Sequence, residues 1–304
     1  MRLLSIILLF TLLWGCHDTD APQARDGVLD LRDWQPGGDG PVELGGEWAL
    51  WWGVLLEPGE QPEPERIVTV PGSWNALEGA EGPVGPVGAA TYRLKVLLPE
   101  QAGGLSLRMA GAATAHRLFI DGQERIGGGV VSTDPDQIVP AGTRWIHGIP
   151  AARSELELLV QVANAEYRSG GLRRAPLLGA TDQILVTFQR KLLVDGTVLA
   201  VMVAVGLYQL GLFLLRPTLR VHLPFGLMCV IFGLRSTLSR EGQIADMLLP
   251  GLSWVTMIRL EHLLSWLSLT VGLWWVGWMF PRRRRSGWRG FWAAARCSGC
   301  CSSR

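Results

Sequence analysis

The chain has 304 residues, 48% of them hydrophobic, with a mean hydropathy of +0.22 and a formal net charge of +1. Apolarity at this level excludes an ordinary soluble protein and directs attention to long apolar runs. Seven Arg and no acidic residue stand in 282–304, so residues 1–281 carry 21 basic and 27 acidic groups, a net charge of −6. Such an acidic body excludes the basic footprint that nucleic-acid binding requires.

The N-terminus opens with Met1-Arg2 and an apolar stretch from Leu3 to Gly15, followed by Cys16. A positive start, a short apolar run and a small residue at its end predict a secretory signal over 1–16 and hence export. Leu13-Trp14-Gly15-Cys16 resembles a bacterial lipobox, which implies lipidation of Cys16; an ordinary signal or an uncleaved anchor stays open beside it. Residues 17–27 are polar and read as a linker. No cysteine lies between Cys16 and Cys229, so the segment between them must fold on its apolar core without disulfides.

Residues 28–185 are predicted to form an exported all-β domain. Tyr92, Leu94, Val96 and Leu98 alternate with Arg93 and Lys95; Leu105, Leu107 and Met109 alternate with Ser106 and Arg108; Leu156, Leu158, Val160 and Val162 alternate with Glu155, Glu157 and Gln161. Period two with one polar face predicts half-buried antiparallel strands. Asp121-Gly122 is a hairpin-turn signal, and Pro/Gly clusters at Gly37–Pro41, Pro58–Pro64 and Gly79–Gly88 read as separators. Gly127-Gly128-Gly129 opens no helical pattern and reads as a turn or bulge.

Leu44-Gly45-Gly46-Glu47-Trp48, Val70-Pro71-Gly72-Ser73-Trp74-Asn75, Tyr92-Arg93-Leu94 and Phe119-Ile120-Asp121-Gly122 follow one another in an order that resembles the galactose-binding-like jelly roll at the front of β-galactosidases and β-glucuronidases. That resemblance implies a jelly-roll sandwich acting as an accessory sugar-binding or packing module. Trp34, Trp51, Trp52, Trp74 and Trp145 are candidate sugar platforms, since pyranose faces stack on aromatic rings. Trp48 and one of Trp51 and Trp52 are expected in the core. Trp74-Asn75, after a Pro-Gly turn, is expected at a loop rim. His116, in a strand-like run, reads as a satisfied structural residue.

The C-terminal part reads as an α-helical transmembrane region over 190–281, with about three helices at 192–215, 221–238 and 263–280. Gly196–Leu215 is 20 residues without a charge, and Leu263–Phe280 is 18. Val221–Leu234 is shorter and becomes a span only if Arg235 faces protein rather than lipid. Three spans place the Arg282–Arg285 run on the cytoplasmic side, as the positive-inside rule requires. The expected location is therefore the bacterial inner membrane, multi-pass, with the β domain periplasmic or extracellular.

Asn164, Tyr167-Arg168, Gly170-Gly171-Leu172 and Leu178-Gly179, then Gly206–Arg216, Phe225-Gly226, Leu234-Arg235, Glu241-Gly242, Arg259–His262 and Phe280-Pro281, are similar to the bacterial seven-transmembrane receptors with diverse intracellular signalling modules. The resemblance implies an outer ligand-binding jelly roll ahead of a membrane bundle that transmits a signal to an intracellular module. Tyr167 and Arg168 thereby join Trp74, Asn75, Trp34 and Trp145 as candidate ligand contacts. The chain departs from that pattern after Pro281, where 282–304 forms a basic irregular tail that reads as truncated or out of frame, or else as a lipid-binding juxtamembrane segment. Cys297, Cys300 and Cys301 lack the second ligand pair of a zinc site.

No phosphate-binding loop, dinucleotide fingerprint or His-Glu-x-x-His motif occurs, and Glu155 and Glu157 fall on one strand face. The expectation is therefore a non-enzyme without cofactor or metal. Its expected partners are a carbohydrate-like or other small ligand and membrane lipid, with a separate signalling partner or a second copy of the chain. Two functions stay open: a sensory receptor fragment, and a membrane-tethered carbohydrate-binding or adhesion module without signalling.

Overall fold

The computed structural model describes residues 21–79, 82–100, 103–109, 115–141, 145–149, 153–238, 243–249 and 251–279. The signal segment, Cys16, Glu241-Gly242 and the 282–304 tail lie outside these residues. In chain order the strands are β1 (Val28–Asp30), β2 (Val42–Glu43), β3 (Gly46–Trp52), β4 (Arg66–Val70), β5 (Glu78–Gly79), β6 (Gly82–Pro83), β7 (Gly88–Leu97), β8 (Leu105–Met109), β9 (Ala115–Ile120), β10 (Gln123–Gly128), β11 (Trp145–Ile149), β12 (Glu155–Asn164) and β13 (Leu177–Ala180). The helices are α1 (Thr181–Leu215), α2 (His222–Leu238), α3 (Gln243–Leu248) and α4 (Trp254–Met279). The chain is thus a mostly β domain followed by helices, and it divides into two compact units, the first running to Lys191 and including Ser253–Val255, the second made of the rest from Leu192.

In the β unit the larger sheet runs β10-β9-β12-β7-β3-β4, with β1 added in parallel to β7; the smaller runs β11-β8-β13-β2. The alternating residues explain the pairing. Trp48 and Leu50 of β3, Leu94 and Val96 of β7, and Leu156 to Val162 at every second position of β12 share one apolar core with Leu105, Leu107 and Met109 of β8 and Leu178 of β13. Both sheets therefore turn their apolar faces to a common interior, where each fully buried large side chain is worth about 1.5–3 kcal/mol. The β9–β10 connection is the tight hairpin that Asp121-Gly122 predicts, with both residues at positive φ.

Two expectations are corrected here. Part of the predicted linker, Ala24–Gly27, belongs to the fold: the backbone of Ala24 bonds to Gly45 and Glu47, and Ala24 is buried. Gly46 makes this possible, because a Cβ there would sit 2.4 Å from the Ala24 nitrogen. The second concerns β12, whose opposite face is polar only at its start. From Leu158 onward it is buried on both faces, because the connection between β3 and β4 folds over it. Leu56 packs with Ala49, Trp51, Phe119 and Leu159, and Gln161 donates from Nε2 to the Leu56 carbonyl at 2.9 Å.

In the helical unit, Arg235 of α2 donates from Nε to Ser265 Oγ of α4 at 2.6 Å, so its guanidinium has a protein partner. Phe225 and Trp275 pack with ring centroids 5.2 Å apart. The helix limits differ from the expected spans. α1 starts at Thr181 rather than 192, α4 at Trp254 rather than 263, and α3 was not anticipated. Charged residues inside the helices, Arg190, Lys191 and Asp195 of α1 and Arg259 and Glu261 of α4, interrupt the uncharged runs and so hide the starts. Among the described residues α1 is the one helix both long and apolar enough to cross a bilayer. α2 has 17 residues, and α4 carries Arg259, Glu261 and His262 in its first half.

Candidate ligand site

A cleft combining apolar and hydroxyl-bearing residues lies in the β unit, at the β4 edge of the larger sheet. Its volume is about 370 Å³. One wall is Ile67, Val68 and Thr69 of β4, and the turn Pro71–Trp74 closes one end. Tyr92 of β7 and Trp74 form its floor; at 3% and 1% exposure they present no open ring face.

The turn is held by a second loop. Trp74 N donates to the Gly170 carbonyl, and Gly72 N to the Leu172 carbonyl. Asn75 clamps the two: its Nδ2 donates to the Arg168 carbonyl at 2.9 Å, while its Oδ1 accepts from Gly170 N and Ser73 Oγ, each at 3.0 Å. Gly170 lies directly on the Trp74 indole, where a Cβ would approach to 2.2 Å. Trp74 also donates from Nε1 to the Pro86 carbonyl at 3.2 Å and meets Trp52 edge-on at 5.0 Å. Asn164 braces the same loop, donating from Nδ2 to the Pro86 and Tyr167 carbonyls.

The structure therefore brings Trp74, Asn75, Tyr167 and Arg168 into one neighbourhood, but not in the roles expected of them. Trp74 is a buried keystone instead of a rim platform. Asn75 spends its amide on the loop clamp. Arg168 contributes its carbonyl and is exposed, and Tyr167 is half-buried with the Arg173 guanidinium 5.7 Å from its ring centre. Trp34 is a core residue, 6% exposed and donating to the Gly40 carbonyl; its indole fills space between elements and offers no stacking face. Trp145 lies in β11, opposite Met109 in the smaller sheet, away from the β4 edge.

Sequence reasoning missed Tyr92 as a site residue. Tyr92 stood in an apolar alternation, where only its phenol marked it as different from a core aliphatic. Burial pushes that phenol well above its ordinary pKa, so it stays protonated. Its oxygen accepts a long bond, 3.4 Å, from Leu172 N.

Elsewhere on the larger sheet, Glu155 and Glu157 line a charged groove of about 460 Å³, but each is committed across the strand pair, to Lys95 at 2.8 Å and Arg93 at 3.0 Å. Their exposure keeps these pairs weak, of order 0–1 kcal/mol.

Asn75→Ala removes three hydrogen bonds from the clamp. It is expected to lower stability by about 1–3 kcal/mol, read as an earlier midpoint in denaturant, with faster backbone exchange at Gly170.

No family model matches the chain, and no curated protein matches it in sequence. Among solved structures it is similar to the β-glucuronidase of Faecalibacterium prausnitzii, at 15% identity and a TM-score of 0.37, over 46% of this chain and 31% of that one. The β-glucuronidase of Ruminococcus gnavus is similar at 14% identity and a TM-score of 0.35, over 46% and 29%. The chain spans less than a third of the length of these enzymes, and a likeness this distant says nothing about activity.

Proposed function

We propose that the chain is a membrane-anchored sensory receptor fragment. In this reading the β unit is a jelly-roll sandwich outside the inner membrane that binds a carbohydrate-like ligand. The helices form a multi-pass bundle of the kind found in the seven-transmembrane receptors that the sequence resembles. The observation that carries the reading is the way β13 passes into α1. The strand ends at Ala180 and the helix begins at Thr181, with no intervening loop. Thr181 Oγ1 donates to the Gly104 carbonyl at 2.7 Å and shares a bond with Ser106 Oγ at 2.8 Å. Gln183 Nε2 donates to the Gly37 carbonyl, and Ile184 is fully buried. A helix merely tethering a binding module needs no such anchorage; one that responds to the module does. A ligand with different affinity for two arrangements of the β unit then biases the helix rooted in it.

Hydrogen exchange on the full chain in lipid nanodiscs, with and without saturating methyl β-glucoside, tests this. Altered protection in α1 and α2 amides is the expected result. A change confined to 67–77 and 164–172 would leave a tethered binding module, and no change anywhere would remove the ligand from the reading.

A further inference from the structure

We infer that the β4-edge cleft takes an uncharged, hydroxyl-bearing ligand, a neutral sugar unit rather than an acidic one; this rests on the carbohydrate reading above and narrows it. Three observations carry it. First, no residue lining the cleft carries a charge: the polar ones are Thr69, Ser73 and Tyr92, and the rest are aliphatic, aromatic or glycine. A carboxylate or phosphate entering it loses water without meeting a cation, which is costly unless the charge is paired. Second, the Tyr92 hydroxyl is an unspent donor. It is buried, its oxygen accepts from Leu172 N, and among the described residues nothing accepts its hydrogen. A buried donor left open at the floor of a cleft fits a ligand hydroxyl or ring oxygen. Third, the groups divide cleanly between donors set for the fold and donors left over. Ser73 is used up by Asn75 and Ser169, and Thr69, paired with the exposed Glu47, turns its side chain to the sheet face opposite that of Trp48 and Tyr92, which leaves the Tyr92 hydroxyl as the remaining donor. Tyr92 at the floor is thus the specificity-determining residue. The charged groove on the other part of the sheet, in contrast, has its cations already paired.

The test compares methyl β-glucoside with methyl β-glucuronide, which differ only in the oxidation of one carbon, against the full chain in nanodiscs by calorimetric titration. The glucoside is expected to bind, and the glucuronide to bind more weakly by at least about tenfold. Tyr92→Phe is expected to weaken the glucoside about tenfold. Because that variant also strips an acceptor from Leu172, Leu77→Arg provides a second arm at a half-buried lining position: a cation in the cleft should narrow the gap between the two sugars. Equal or tighter binding of the glucuronide by the unaltered chain would overturn this inference while leaving the carbohydrate reading intact. Glucoside binding indifferent to both substitutions would overturn it by placing the sugar elsewhere. Binding of neither sugar would overturn the carbohydrate reading itself.

Discussion

Trp74→Ala is expected to cost the β unit about 3–5 kcal/mol, the range for deleting a large buried aromatic side chain. The indole is 1% exposed and touches four different parts of the chain: the Gly170 backbone, the Pro86 carbonyl, the Trp52 ring and the turn from which it projects. Removing it leaves a cavity beneath Gly170 and strips the Pro86 carbonyl of one of its two donors, the other being Asn164. The neighbours cannot collapse into the space without breaking the Asn75 clamp. For a domain whose total stability is of order 5–15 kcal/mol, the loss is a large fraction of the whole. It is read as the shift in a denaturant midpoint monitored by far-ultraviolet circular dichroism. If Trp74 were instead an open sugar platform, the same substitution would abolish binding and leave the midpoint within about 0.5 kcal/mol.

The second large effect lies in α1. Leu207→Arg puts a charge within the uncharged stretch 196–215, on a side chain that is 61% exposed in the structure. At the surface of a soluble protein this exchange is worth within about 0.5 kcal/mol either way. In a helix crossing a bilayer it costs about 2.5–3.5 kcal/mol for the Arg alone. Of the most apolar 18-residue window of α1 only 6% is buried, and Leu193, Leu214 and Leu215 are more than 70% exposed. Apolar surface of that kind requires a nonaqueous neighbour. The expected result is a clear fall in the fraction of chain that stays with membranes after alkaline carbonate extraction, against no change for the conservative Leu207→Ile.

The β unit was legible in the sequence to the extent that its residues alternate. Leu94, Val96, Leu107, Leu158 and Val160 announced their burial because period two is a local property, and Asp121-Gly122 announced its hairpin for the same reason. What was hidden was nonlocal. Nothing near Leu56 or Gln161 says that a segment rich in Pro and Glu will cover the outer face of β12, and nothing near Ala24 says that Gly46 leaves room for it. The candidate site shows the same division. Of the six candidate contacts, Trp34 and Trp145 stand apart, whereas Trp74, Asn75, Tyr167 and Arg168 converge, because the motifs that contain them are the two loops that zip together. Their roles were misassigned because a tryptophan after a Pro-Gly turn looks exposed until the opposing Gly170 is placed on it. Tyr92 was overlooked because a phenol differs from an aliphatic core residue only through the partner it lacks. In the helices, uncharged length located the apolar centres, while the hydrogen-bonded first turn of α1, in which only Ile184 is buried, carried no hydropathy signal.

The central claim is that the β unit stands outside the membrane into which α1 inserts. The unaltered chain has no cysteine between Cys16 and Cys229, so an Asp136→Cys substitution, at an exposed position of the 3-10 turn Pro135–Gln137, introduces a single thiol there. Intact spheroplasts are treated with a membrane-impermeant maleimide and the modified peptide is identified by mass spectrometry. Labelling of Cys at position 136 without lysis is the expected result; labelling only after the membrane is broken would place the β unit inside and contradict the receptor reading at its root.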